Sequence, residues 1–399
     1  MMDRRDFLKA VTLASTAPLW VRLGPLAGGV AEAAVPTPDR LLLVLYLAGG
    51  NDGLNTVAPY ANATYKKLRP DLALRSSEVF NLGGGYGLHR AMPTINSMWK
   101  AGQVAIVRDV GYPNPNFSHF DSAYIWETAS PELRYHAGWL GRYLDATDAR
   151  SNAPVRAVAV GLDALPRCLI GRSQNGVAMN RLGDFSFIDD GRADAALRRR
   201  AYRAFGAGGM DGSSMRDKVL TAQEGTAAAI TAVAGAAKKV GGASLTPAQT
   251  VATIFGAGVG TEIGYIYVGG FDTHTTQRGS HAQILTDVDN AVKQFFEQAD
   301  KLGLADRATV LTFSEFGRRV EENASQGTDH GSSQPMMVIG PRVNGGFKGV
   351  APDLTDLTDG NLKPKTHFNS VYGSVLADLF DVDPAPILGG DYPHIPLVG

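Results

Sequence analysis

Apolar positions along the chain fall in short blocks separated by glycine-rich polar loops. The first block is the plainest: Asp39 to Ala48 reads DRLLLVLYLA, a continuous apolar run with a charged start. It shows no alternation, which predicts a strand buried on both faces, as in a parallel sheet. Further strands are predicted at Val104–Val107, Val155–Val160, Thr261–Val268, Ala308–Phe313 and Met336–Ile339. Helical spacing occupies Met92–Ala101, Asp121–Thr128, Trp139–Asp145, His281–Leu302 and Val371–Phe380. Strands alternating with helices predict an α/β fold with a mostly parallel sheet. Residues about 190–250 break the alternation. They are rich in Ala, Gly and Arg and read as a helical insertion or cap.

In such sheets ligands lie beyond the carboxyl ends of the strands. The first predicted strand is followed by Asn51 and Asp52, and the second by Ser118 and His119. Later ends deliver Asp272 and His274, then Glu315, then Asp329 and His330. Each has an ordinary explanation taken alone. Asp52 fits a turn, Ser118 with Asp121 fits a helix capping box, and Asp272 with His274 fits a loop hydrogen bond. Gathered on one edge of one sheet they point to a site. A hydroxyl at a helix start, as Ser118 would be, is placed to attack an anionic ester, because the helix end favours negative charge. Arg318 is a candidate for binding substrate oxyanions bidentately. No serine lies in G-x-S-x-G, which ranks a metal-independent serine hydrolase last.

Composition narrows the chemistry. The 399 residues are 44% hydrophobic and 19% charged, as in a globular protein. A net charge of −1 gives no general pull toward nucleic acid. Cys168 is the one cysteine, so thiolate clusters and intrachain disulfides are excluded. Its setting, LPRCLIG, predicts a buried, inert thiol. Any metal must therefore use oxygen and imidazole ligands. That favours zinc or manganese and leaves calcium or magnesium open.

The N-terminal segment, MMDRRDFLKAVTLASTAPLWVRLGPLAGGVAEAAVP, carries paired Arg4 and Arg5 ahead of an apolar stretch too short for a confident span. Ala31-Glu32-Ala33 has the small residues a signal peptidase uses. The segment resembles a twin-arginine export signal over residues 1–33. That resemblance implies a periplasmic or secreted protein, with no integral membrane span in the mature chain. Removing these residues leaves 34 basic and 36 acidic ones, so the charge argument is unchanged.

Four segments carry a wider resemblance: LAGGNDGLNTVAPY, GLHRAMPTINSMWKAGQVAIVRDVGYPNPNFSHFDSA, GGFDTHTTQ and SEFGRRVEENASQGTDHG. They resemble the bacterial family called domain of unknown function 1501, from about Arg40 to the C-terminus. That family is similar in layout to the alkaline phosphatase and sulfatase superfamily. The resemblance implies a single doubly wound α/β domain over 34–399 with a one- or two-metal site. By position it implies Asp52 (or Asn51) as the first metal ligand, Ser118 as nucleophile, and Asp272 with His274 as a metal pair. Glu315, Asp329 and His330 complete the metal set, and Asn51, His119 and Arg318 face substrate. Phe316 stands where a phosphatase-like site holds histidine, and His119 either compensates for it or simply packs. The implied activity is hydrolysis of phosphate or sulfate esters of a small molecule or glycan. The alternative is a non-catalytic protein that keeps the fold and binds an anionic glycan or partner.

Overall fold

The computed structural model describes residues 37–182 except 149, 150, 152 and 154, residue 235, and residues 244–399. The segment read as an export signal and nearly all of the range read as an insertion lie outside the described residues. The Pro247–Phe255 helix begins inside the range read as insertion and packs on the sheet.

Among the described residues, nine strands form one sheet. In chain order we label them β1 (Leu41–Leu47), β2 (Val104–Gly111), β3 (Ala157–Val160), β4 (Val177–Met179), β5 (Ile263–Val268), β6 (Ala308–Phe313), β7 (Gln334–Ile339), β8 (Gly346–Lys348) and β9 (Thr366–His367). Their spatial order is β8-β2-β7-β6-β1-β5-β3-β4, with β9 also pairing β2. All pairings are parallel except those of β7, which runs antiparallel to both β2 and β6. The fold class is α/β with a mostly parallel sheet, as the alternation predicts.

Both faces are covered. Leu41, Leu43 and Leu45 enter one apolar core, and Leu42 and Val44 enter the other. That division is why β1 shows no polar alternation. The first core packs against α1 (Pro93–Lys100), α4 (Pro247–Phe255) and α5 (Gln277–Lys301) through Ile95, Val251 and Val288. The second packs against α2 (His119–Thr128), α3 (Trp139–Ala146) and α6 (Phe368–Phe380) through Trp126, Leu140 and Val371. Cys168 is buried in this second core, and burial raises its thiol well above the usual range, as expected of an inert thiol.

Glu127 enters the same layer. Its Oε1 accepts from the Tyr265 hydroxyl at 2.9 Å and its Oε2 from the Arg167 amide at 2.9 Å. Burial outweighs these hydrogen bonds and pushes the carboxyl up to about 7. Between pH 4.5 and 7 the folded chain therefore holds a proton that the unfolded chain releases. The stabilisation is complete below about pH 4.5 and is lost as pH rises through 7, by no more than about 3 kcal/mol. Glu127→Gln is expected to flatten that slope. Denaturant midpoints at pH 5 and pH 8 for both proteins check this, and an equal slope in the variant contradicts it.

Among the described residues, no helix is long and apolar enough to cross a membrane.

Candidate metal centre

Four strands that end at the carboxyl edge each deliver one part of the site. The turn after β1 brings Gly49 and Gly50, the segment after β2 brings Ser118 and His119, the loop after β5 brings Asp272 and His274, and β6 ends on Ser314 and Glu315. His330 arrives differently. Because β7 is antiparallel, its start lies at this same edge, and His330 stands four positions before it. A short ribbon of Gly317–Arg318 against His330–Gly331 locks that approach.

Three imidazoles converge on Asp272. His274 Nε2 lies 2.9 Å from Asp272 Oδ1 and His330 Nε2 lies 3.1 Å from the same oxygen. His119 Nε2 lies 3.4 Å from Asp272 Oδ2. The two Nε2 atoms of His274 and His330 are 3.0 Å apart. Each ring is fixed through its other nitrogen. Nδ1 of His119 meets Glu315 Oε1 at 2.7 Å, Nδ1 of His330 meets the Phe117 carbonyl at 2.8 Å, and Nδ1 of His274 meets Asp329 Oδ1 at 3.3 Å. Oxygen partners at Nδ1 require the proton there, so all three Nε2 lone pairs face the Asp272 carboxylate. Oxygen acceptors at the far ring nitrogen orient metal-ligating histidines in general.

Such crowding of acceptors is the test of fit. Neutral imidazole nitrogens and carboxylate oxygens at these separations repel unless a cation lies among them. Ligands of one zinc ion, each roughly 2.0–2.2 Å from it, stand about 3.3 Å apart in a tetrahedron. His119, Asp272 and His330 offer three ligand atoms within 4.8 Å of one another, a set that fits one divalent ion. The protonation states agree. Burial opposes charge on Asp272, but the hydrogen bond and charge of Arg318 prevail and hold its carboxyl well below the usual range. Burial, outweighing its contacts to Asp272 and Phe117, lowers His330 and favours the neutral ring a metal needs.

The structure separates the residues expected at the site. Glu315 is buried at 1% exposure, and its oxygens already accept from the Gly49 amide at 2.9 and 3.1 Å, from the Ser314 hydroxyl at 3.2 Å and from His119. It is placed to orient His119 rather than to bind metal. Asp329 likewise backs His274, with Asn323 donating to the same oxygen at 3.2 Å. Arg318 does not face substrate. Its side chain is fully buried, and its N–H groups reach the Gly50, Thr328 and Phe271 carbonyls at 2.7, 2.9 and 3.0 Å, the Gly49 carbonyl, and Asp272 Oδ1 at 2.8 Å. Phe316 packs its ring 4.9 Å from that of His119 and 4.3 Å from that of His330. His119 brings an imidazole beside the Phe316 ring.

Asp52 and Asn51 lie behind the cluster. Asp52 is wholly buried and its Oδ2 accepts from Arg69 Nη1 at 2.6 Å and from Gln277 Nε2 at 2.5 Å. Burial alone would raise its pKa, but Arg69, His281 and these hydrogen bonds leave it lowered. Asn51 is buried at 1% exposure and its Oδ1 accepts from Thr56 at 2.7 Å, with His281 Nε2 3.2 Å away. Neither residue joins the three histidines, and Asn51 does not face substrate. Sequence inspection missed Arg69, Gln277 and His281 in this network. An arginine in YKKLRPD and a glutamine in a helix start carry no local mark of burial.

Ser118 is exposed and precedes His119 directly. It is the N-cap of α2, with Oγ accepting from the Asp121 amide at 3.5 Å, the forward half of a capping box. Its own amide donates to Asn116 Oδ1 at 2.7 Å.

Backbone shape makes this convergence possible. Gly49 has φ +116°, and a Cβ there would stand 2.6 Å from the Asp272 amide nitrogen. Gly49→Ala is expected to displace the Asp272 loop and to cost at least about 2 kcal/mol. A chemical-denaturation midpoint equal to that of the parent protein would refute this.

The family model described as protein of unknown function (DUF1501) matches residues 90–356, about two thirds of the chain. The chain belongs to that family. Its matched span holds His119, Asp272, His274, Glu315, Arg318 and His330, and leaves out Asn51, Asp52 and Arg69. No curated protein matches the chain. Among solved structures, the chain is similar to a protein in the alkaline phosphatase superfamily from Vibrio parahaemolyticus. Identity there is 11% over 98% of this chain and 78% of that one, with a TM-score of 0.37. It is also similar to the C-terminal periplasmic domain of EcEptC from Escherichia coli, at 9% identity over 88% and 86% of the two chains and a TM-score of 0.37. A third is Ps i-CgsB in complex with k-i-k-neocarrahexaose, at 12% identity over 89% and 73% and a TM-score of 0.36. Likeness this loose transfers no chemistry.

Proposed function

We propose that the chain is an exported, metal-dependent hydrolase of phosphate or sulfate esters, acting on a small molecule or glycan. The observation that carries this is the set of three imidazoles, each tied at Nδ1 to oxygen and each presenting Nε2 to Asp272. His119, Asp272 and His330 would hold the ion, with zinc or manganese favoured by two imidazoles and one carboxylate. A divalent ion bound there supplies positive charge that polarises an ester oxygen and stabilises the charge of the transition state. Three protein ligands leave a coordination position open, as catalytic sites require.

The protein's own groups do the rest. Glu315 and the Phe117 carbonyl keep the two ligand rings in the needed tautomer. Ser118, beside His119 at the start of a ten-residue helix, is the proposed nucleophile. The helix end favours the negative charge of an incoming ester. The resemblance of residues 1–33 to a twin-arginine export signal supports an activity in the periplasm or outside the cell. The test is a panel of phosphate and sulfate esters. Ser118→Ala is expected to lower turnover by at least about three orders of magnitude while bound metal is retained. Full activity in that variant removes Ser118 from the mechanism. The second reading, a non-catalytic binder of anionic glycans, is favoured by the Ser118 hydroxyl's engagement as a helix cap. It requires no turnover of any ester and unaltered anion binding in Ser118→Ala.

A further inference from the structure

Resting on that metal reading, we infer that the site takes one metal ion per chain, and that the Arg318 guanidinium is its built-in second cation. Asp272 Oδ1 receives Arg318 Nη2 at 2.8 Å, and Arg318 Nη1 lies 3.4 Å from His274 Nε2. One flank of the acceptor cluster, Asp272 Oδ1 with His274, is therefore already met by a positive group. On the other flank His119 Nε2 lies 3.4 Å from Asp272 Oδ2, and His119, Asp272 and His330 offer ligand atoms within 4.8 Å of one another. That flank is where an ion belongs.

Arg318 is not a mobile side chain that a metal would displace. Four backbone carbonyls, of Gly49, Gly50, Phe271 and Thr328, accept its N–H groups, and none of it is exposed. A guanidinium does not give up its charge under protein conditions, so this cation is permanent. Removing it would leave four carbonyls without their donor and Asp272 without its counter-charge. Formal charge agrees with a single ion. Asp272, Glu315 and Asp329 bring three negative charges, and Arg318 cancels one. One divalent ion balances the remaining two, whereas two ions would leave an excess of two positive charges packed within a few ångströms.

The division assigns different roles to two histidines that look alike. His330 is a ligand. His274 bridges Arg318 and Asp329 and shapes the wall of the site. Elemental analysis of the full-length protein, loaded with excess Zn²⁺ or Mn²⁺ and then desalted, tests this. The expected content is close to one ion per chain. His274→Ala is expected to keep that content, with affinity changed by less than about tenfold, whereas His330→Ala lowers affinity by more than about 100-fold. Two ions per chain in the parent protein would overturn the inference and leave the metal reading standing, and so would equal losses in the two variants. No bound ion in the parent would bring down both. Arg318→Lys keeps the charge and is expected to keep one ion, and anomalous scattering from its crystals should place that ion between His119 and His330. An ion found between His274 and Asp329 would contradict the assignment.

Discussion

His330→Ala is expected to lower ester turnover by at least about 1000-fold, equivalent to roughly 4 kcal/mol of lost transition-state stabilisation. The chain should still fold. His330 is partly exposed, its Nδ1 holds only the Phe117 carbonyl, and the neighbouring ribbon is maintained by backbone pairing of Gly317 with Gly331 and Arg318 with residue 330. What is lost is an imidazole that reaches within 3.1 Å of Asp272. Steady-state kinetics on the best ester of the panel, with circular dichroism to confirm folding, decide the point. A variant within tenfold of the parent would show that His330 takes no part.

The second large effect is on stability. Arg69 is buried without exposure, and its guanidinium joins Asp52 Oδ2 at 2.6 Å, Asn55 Oδ1 at 2.9 Å, the Val320 carbonyl at 2.8 Å and the Arg319 carbonyl at 2.8 Å. It thereby clamps the turn after β1 to the segment after Arg318. Arg69→Met removes a partner from a buried charge and is expected to cost about 3–5 kcal/mol. The double replacement Arg69→Met with Asp52→Asn, which removes the orphaned charge, should recover part of that loss. Urea midpoints of the parent, single and double variants measure it. A single variant within about 1 kcal/mol of the parent would mean that water reaches Asp52 after all.

Much of the fold was legible because the sheet is covered on both sides. A strand such as β1 must then be apolar at nearly every position, and such runs stand out. The edge of the sheet was legible for the same reason, since polar residues reappear where the strand leaves the core. Val177–Met179 and the small sheet of Val57–Ala58, Val79–Gly83 and Tyr86–His89 were not found. They are short, and their patterns are broken by Gly and polar residues.

The site was legible as a set of loops but not as a division of labour. After a strand end, an acid aimed outward at a ligand reads the same as one turned back under its own loop. Asp272 is the first kind, with 46% of its side chain exposed, and Asp52 is the second, with none. Glu315 reads as a ligand until the Gly49 amide is seen to take both its oxygens. Arg318 and Arg319 are adjacent, and no local pattern tells which is buried; the ribbon pairing that decides it depends on residues twelve and more positions away. His119 gained its role from Glu315, 196 residues distant. Only the tertiary fold could supply that.

The central claim, that His119, Asp272 and His330 form a metal-dependent hydrolytic centre, is tested most directly by removing and restoring the metal. Hydrolysis of a phosphate and a sulfate ester would be measured before chelation, after chelation and desalting, and after return of Zn²⁺ or Mn²⁺. The account predicts turnover of at least one ester that is lost on chelation and recovered with the ion. Turnover unaffected by a chelator that has stripped all metal from the protein would contradict it.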